Sequence, residues 1–248
     1  MKPETTEEIK FDNDFRRASF EERQALDRDF YDKKYSTTDY QRFRHVDRAF
    51  IKGIIERYRI PKGKLLLDLG CGTGSYSNIF AEMGFNVVGL DYSKTGVMKA
   101  QKLYGCSVSW IVGDAFNMPF RPEKKFDVIF CCDFPPYNLI DTIPEAIEIT
   151  KKIFDYLDPE GTFIFVWSSR LTGKRVGESV IIEYTSAQVK ELFSKCGTIV
   201  GEVYTTNKQL FPVLGRYAIS KFITRLTSFL VRLHRRNVRI ICGVKLKV

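Results

Sequence analysis

The stretch that most constrains the fold is LLLDLGCGTGSYS at 65–77, where a short apolar run leads into Gly70, Gly72 and Gly74. Glycines are needed where a backbone turns tightly or approaches a ligand with no Cβ in between. A strand that ends in such a loop and resumes as a helix opens a βα unit, and open α/β sheets bind ligands at that carboxyl end. The alternation continues along the chain. Helical spacing at 75–84 is followed by a strand at 86–91, and a helix at 94–104 by a strand at 108–114. A strand is expected at 126–132, a helix at 144–157 and a strand at 162–169, with Asp158-Pro159-Glu160-Gly161 as the turn between the last two. Five apolar strands separated by helices predict a parallel sheet covered on both faces, and right-handed crossovers make it doubly wound. A helix at 185–195, a strand at 198–205, a helix near 216–236 and a strand at 238–247 complete the reading.

Ahead of this core, residues 1–38 are dense in both signs of charge, with aromatics between them. They read as an N-terminal arm or lid that docks through those aromatics, and 39–248 as a single domain. Residues 39–59 are expected to be helical, opened by Asp39 as a cap and stopped by Pro61-Lys62-Gly63.

A chain of 248 residues, 44% hydrophobic, can bury one large core. It contains no apolar run long enough for a membrane-spanning helix, and its polar, acidic N-terminus lacks the apolar segment of a signal peptide. A cytoplasmic location follows as an expectation. Six scattered cysteines without a C-x-x-C pair, and only two histidines, predict reduced thiols and no metal site. The net charge of +9 is uneven: ten Lys or Arg and no acid follow Glu202, which leaves residues 1–202 at −1.

Two phosphate-binding readings of the glycine loop fail on spacing. A dinucleotide fingerprint needs G-x-G-x-x-G, but Ser75 stands where the last glycine would fall; a P-loop needs G-K-[ST], which is absent. The acids around the loop suggest a different ligand. Asp68 precedes the glycines, Asp91 ends the second strand and Asp114 ends the third. An acid at the second strand end can accept both hydroxyls of a ribose diol. Asp114 can accept from an adenine amino group beside Ala115 and Phe116, and Asp68 can hold an ammonium directly or through water. Three carboxylates repel a pyrophosphate and suit a cation.

The loop DLGCGTG, the acidic strand end GLDYS, the segment GDAFNMPF and the strand FDVIFCCDF together resemble the class I, seven-stranded S-adenosylmethionine-dependent methyltransferases. The resemblance implies strand order 3-2-1-4-5-7-6 with the last strand antiparallel and helices on both faces. It also implies S-adenosylmethionine as cofactor, held by Asp68, Gly70, Cys71, Gly72, Gly74, Asp91, Tyr92, Asp114, Ala115, Phe116 and Cys132.

Acceptor chemistry is then expected after the fourth strand, in CCDFPPYNLI. Asp133, Pro135, Pro136 and Tyr137 resemble the [DNS]-P-P-[YFW] signature of amino-group methyltransferases, but Phe134 is inserted between the acid and the first proline. Asp133 and Tyr137 are the expected acceptor-facing pair, and His45 is a candidate base if the helix carrying it folds over the site. Arg170, Lys174 and Arg175 read as a solvated loop or as contacts for an anionic acceptor. At 216–236, apolar residues at helical spacing alternate with Lys221, Arg225, Arg232, Arg235 and Arg236. This basic amphipathic insertion suits packing on its own domain or a protein partner, or contact with an anionic membrane surface or lipid-linked substrate. RNA contact is the weaker expectation. The leading expectation is therefore a methyltransferase with a small-molecule or lipid-linked acceptor, peripheral at a membrane if the insertion docks there. An RNA or protein N-methyltransferase using DFPPY, or a non-catalytic cofactor-binding partner subunit, are the alternatives.

Overall fold

A computed structural model describes residues 18–37, 44–121, 123–134, 137, 139–140, 142–169, 184–205 and 238–246. Within them the chain order is α1 (Phe20–Thr37), α2 (Arg44–Tyr58), β1 (Leu65–Leu69), α3 (Ser75–Glu82), β2 (Asn86–Asp91), α4 (Lys94–Tyr104), β3 (Ser109–Val112), β4 (Phe126–Cys132), α5 (Ile143–Phe154), β5 (Leu157–Ser169), α6 (Ser186–Cys196), β6 (Thr198–Thr205) and β7 (Val238–Lys245). The basic segment 216–236, Pro135, Pro136, Arg170, Lys174 and Arg175 lie outside the described residues.

The seven strands form one sheet in the order β3-β2-β1-β4-β5-β7-β6. Pairing from β3 across to β5 is parallel, and β7 runs antiparallel to both β5 and β6. This is the arrangement the resemblance implies.

Alternation along each strand explains why both faces are covered. Leu67, Ile129, Cys131, Phe163, Phe165 and Trp167 join one apolar cluster with residues of α5 and α6. Leu66, Val128, Phe130, Ile164 and Val166 join a second with Phe50, Ile51 and Ile54 of α2 and Ile79 and Phe80 of α3. Helix starts are fixed locally: Thr185 and Gln188 form a reciprocal capping box at α6, and the Ser93 hydroxyl accepts from the Gly96 N–H at α4.

Strand β5 starts earlier than expected. Leu157 already pairs with Phe126, and the next pair is Thr162 with Val128, so Asp158–Gly161 bulge out between them. The predicted turn is therefore accommodated inside a strand.

Helix α1 differs in kind from the others, because none of its residues is fully buried. Its start is secured by Ser19 and Glu22, whose side chains each take the other's backbone N–H (2.7 and 3.3 Å). It packs along α4, across the carboxyl ends of the first strands.

Candidate active site

The glycine loop after β1 is left-handed at Gly70, Gly72 and Gly74 (φ 80°, 53° and 80°). It is tied to β2: the N–H groups of Gly70 and Cys71 donate to the Leu90 carbonyl at 2.8 and 3.1 Å. The loop glycines are also crowded. A Cβ on Gly70 would lie 2.6 Å from the Phe134 ring, and one on Gly72 would lie 2.6 Å from the Tyr35 hydroxyl of α1.

Asp91 stitches this loop to the next helix. Its two carboxylate oxygens accept from Gly72 N–H and Ser93 N–H, each at 2.8 Å. Only 4% of it is exposed, and burial pushes its carboxyl up to about 6 in spite of those donors. Asp114 accepts from the Phe116 N–H at 2.9 Å and, at a long 3.5 Å, from the Gln24 amide of α1. Together with Gly70, Tyr92, Ala115 and Phe116 these acids line a narrow cavity at the carboxyl ends of β1, β2 and β3. Leu90, Phe134 and Leu139 add apolar wall, and Gln24 and Asp27 of α1 close it.

The remaining expected cofactor residues lie behind that lining. Asp68 is buried and takes the Ser77 hydroxyl; burial pushes it up to about 7, and the Asp91 charge adds to the push. Cys71 is buried in the loop, and burial also raises its thiol. Gly74 packs under Trp110. Cys132 is half-buried, with its thiol 4.0 Å from the Asp133 carboxylate.

On the acceptor side the structure separates the expected pair. Asp133, half-buried at the end of β4, has left-handed backbone (φ 47°), a conformation that a non-glycine residue keeps only where its surroundings hold it. Its N–H donates to the Val166 carbonyl at 2.8 Å. Tyr137 lies elsewhere. It is fully buried, its ring packs edge-on to Phe165 and Trp167, and its hydroxyl meets Thr150 Oγ1 at 2.8 Å. Because Thr150 already donates to the Ala146 carbonyl, the tyrosine is the donor in that pair. This ring packs within the core and is not among the residues that line the cavity. Tyr137→Phe is therefore expected to lower stability by about 1 kcal/mol while leaving transfer intact, as melting and activity measured on the same preparation will show. His45 lies in the first turn of α2, and its side chain is outside the described residues.

Of the expected N-terminal arm, the structure adds which residues of α1 reach the site. Phe20, Gln24, Asp27, Tyr31 and Tyr35 recur at helical spacing and form one stripe. Phe20 meets Phe116 edge-on at 5.1 Å, Gln24 reaches Asp114, the Tyr92 hydroxyl donates to Asp27, and Tyr35 covers Gly72. Burial, then the charges of Asp27, Asp133 and Asp91, raise the Tyr31 phenol. Tyr31 thus sits within electrostatic reach of both the cavity and Asp133. Off the stripe, Asp32 anchors α1 by accepting from the Ser93 hydroxyl and from the Thr95 N–H at 3.1 Å.

The buried acids set a pH dependence. Asp27 is pushed up to about 6, burial being the main cause, and with Asp68 and Asp91 it retains protons that the unfolded chain has lost. The folded chain therefore binds more protons between about pH 4 and pH 7, and stability should fall as pH rises through that window. Asp127 acts in the opposite sense and lower down. Against its partial burial, Lys64 and the Leu65 N–H hold it below its ordinary value, so its contribution is lost on acidification below about pH 4. Melting temperatures without ligand should decline from pH 5 to pH 7.5, and Asp68→Asn should flatten the slope.

Comparison with known proteins fits this geometry. Residues 66–161 match the family model of a methyltransferase domain. Over those residues the chain is similar to a methyltransferase domain. Over 115 residues it is 31% identical to the 2-methyl-6-phytyl-1,4-hydroquinone methyltransferase of Synechocystis, covering 45% of this chain and 34% of that one. Over 149 residues it is 28% identical to the demethylmenaquinone methyltransferase of a Geobacillus strain, covering 57% of this chain and 59% of that one. The matches thus span less than two thirds of these relatives' length. The chain also superposes on the magnesium protoporphyrin IX methyltransferase of Synechocystis PCC 6803, solved with bound S-adenosylhomocysteine, with a TM-score of 0.56. That alignment is 18% identical and covers 90% of this chain and 94% of that one; at such identity the likeness concerns the fold.

Proposed function

We propose that the protein moves a methyl group from S-adenosylmethionine to a small-molecule acceptor, and specifically to a lipid-linked one. The observation that carries this reading is the cavity at the carboxyl ends of β1, β2 and β3. Its apolar walls suit a purine and its carboxylates suit a diol, an amino group and a cation. In this reading Asp91 accepts from the ribose hydroxyls and Asp114 from the adenine amino group. Leu90, Ala115 and Phe116 cover the ring faces, and Gly70 allows close backbone approach. S-adenosylmethionine supplies a methyl on a cationic sulfur; when an acceptor's electron pair takes it, the carbon–sulfur pair stays on sulfur and the product is a neutral thioether. The protein's share is then to align the acceptor and exclude water.

Asp133 at the end of β4 is the group proposed to orient the acceptor or take its proton. Helix α1 is proposed as the lid that shuts out water, since its polar stripe already closes the cavity. A lipid-linked acceptor is supported by the two relatives, named as methyltransferases of a phytyl hydroquinone and of demethylmenaquinone, and by the basic amphipathic pattern at 216–236. The amino-group alternative loses the ring it would need, because Tyr137 is in the core.

Labelled methyl offered with a fractionated host extract tests the acceptor class. Label in the lipid or small-molecule pool supports the proposal, and label in RNA or protein overturns it. Asp133→Ala should reduce transfer at least a hundredfold with cofactor affinity unchanged; full transfer in that variant removes Asp133 from the mechanism.

A further inference from the structure

We propose that Asp27 of α1 is a specificity-determining residue of the cofactor cavity, favouring a ligand with cationic sulfur over the same ligand with neutral sulfur. The inference rests on the cofactor reading above and adds to it a means of separating cofactor from product.

Asp27 lines the same cavity as Asp91 and Asp114, but its carboxylate is in a different condition. Both oxygens of Asp91 are engaged by backbone N–H groups, and Asp114 has the Phe116 N–H and the Gln24 amide. Asp27 has one hydrogen bond among the described residues, from the Tyr92 hydroxyl, and it goes to Oδ2. No ion pair engages Asp27 or Asp91 among the described residues. Among the described residues, the cation whose charge acts on Asp27 is Lys34, whose ammonium lies over the Phe30 and Tyr31 rings, 5.3 Å from each centroid. Asp91 adds repulsion. The Asp27 charge is therefore poorly compensated inside a partly desolvated site, where an added positive charge is most strongly favoured.

Methyl transfer changes little at such a site except charge. Adenosine and the amino-acid tail are the same before and after, so the contacts of Asp91, Asp114 and Gly70 bind both forms alike. A carboxylate that binds through charge is the element that tells them apart, and it would let product leave from a site still fitted to its nucleoside.

Calorimetric titration of the full chain with S-adenosylmethionine and with S-adenosylhomocysteine at pH 8 tests this directly. Asp27→Asn should weaken S-adenosylmethionine about tenfold and leave S-adenosylhomocysteine within about twofold. Asp29→Asn removes the same charge from an exposed position on the same helix and should leave the ratio of the two affinities as it is in the unsubstituted protein. An equal loss for both ligands in Asp27→Asn, or an unchanged ratio, overturns the assignment while leaving the cofactor reading intact. Binding of neither ligand by the unsubstituted protein overturns both.

Discussion

Asp91→Ala is expected to weaken S-adenosylmethionine binding roughly ten- to a hundredfold, since the side chain lost is a buried, charged hydrogen-bond acceptor. The effect has two sources. One is the missing acceptor for the ribose. The other is structural: the N–H groups of Gly72 and Ser93 lose their partner, so the glycine loop and the first turn of α4 are no longer held in register. Asp91→Asn separates the two, because an amide oxygen can still accept from one backbone N–H while the charge is gone. Its affinity should fall between those of the original and the alanine variant. Unchanged affinity in Asp91→Ala would mean that the second strand end plays no part in holding the cofactor.

The largest stability effect is expected at Gly74. Its φ of 80° disfavours any side chain, and a β-branched one most. A Cβ there would also sit 2.4 Å from the Trp110 ring and 2.8 Å from the Ala100 Cβ. Gly74→Val combines backbone strain with overpacking, together about 3 kcal/mol, which for a chain of this size lowers the melting temperature by about 6–12 °C. Gly105→Ala is the comparison. Its φ of 62° brings the backbone penalty, but nothing lies within 4 Å of the added Cβ. It should lose only about 1 kcal/mol. Equal losses at the two positions would show that crowding by Trp110 is not what requires glycine at 74.

The βα core and the acids at its strand ends were legible because each is written locally. LLLDL ending in three glycines names both a strand and its loop, and Asp91 and Asp114 fall at positions where apolar runs stop. Two parts of the site were legible only in outline or not at all, for different reasons. Helix α1 buries none of its residues fully, so it lacks the apolar periodicity that announces a core helix, and its stripe of Gln24, Asp27, Tyr31 and Tyr35 gains meaning only once Asp114, Tyr92 and Gly72 lie opposite. Tyr137 follows two prolines after a strand, where an acceptor-facing ring was expected. Thr150, Phe165 and Trp167 hold it in the core instead, through contacts distant in sequence. The early start of β5 has the same origin, since the pairing of Leu157 with Phe126 is set by the neighbouring strand and not by the Asp-Pro-Glu-Gly turn signal.

The most direct test of the central claim is equilibrium titration of the folded full chain with S-adenosylmethionine. Saturable binding of one molecule per chain, competed by S-adenosylhomocysteine and weakened by Asp91→Ala, is the predicted result. A folded chain that binds neither molecule would contradict the assignment of this cavity to the cofactor.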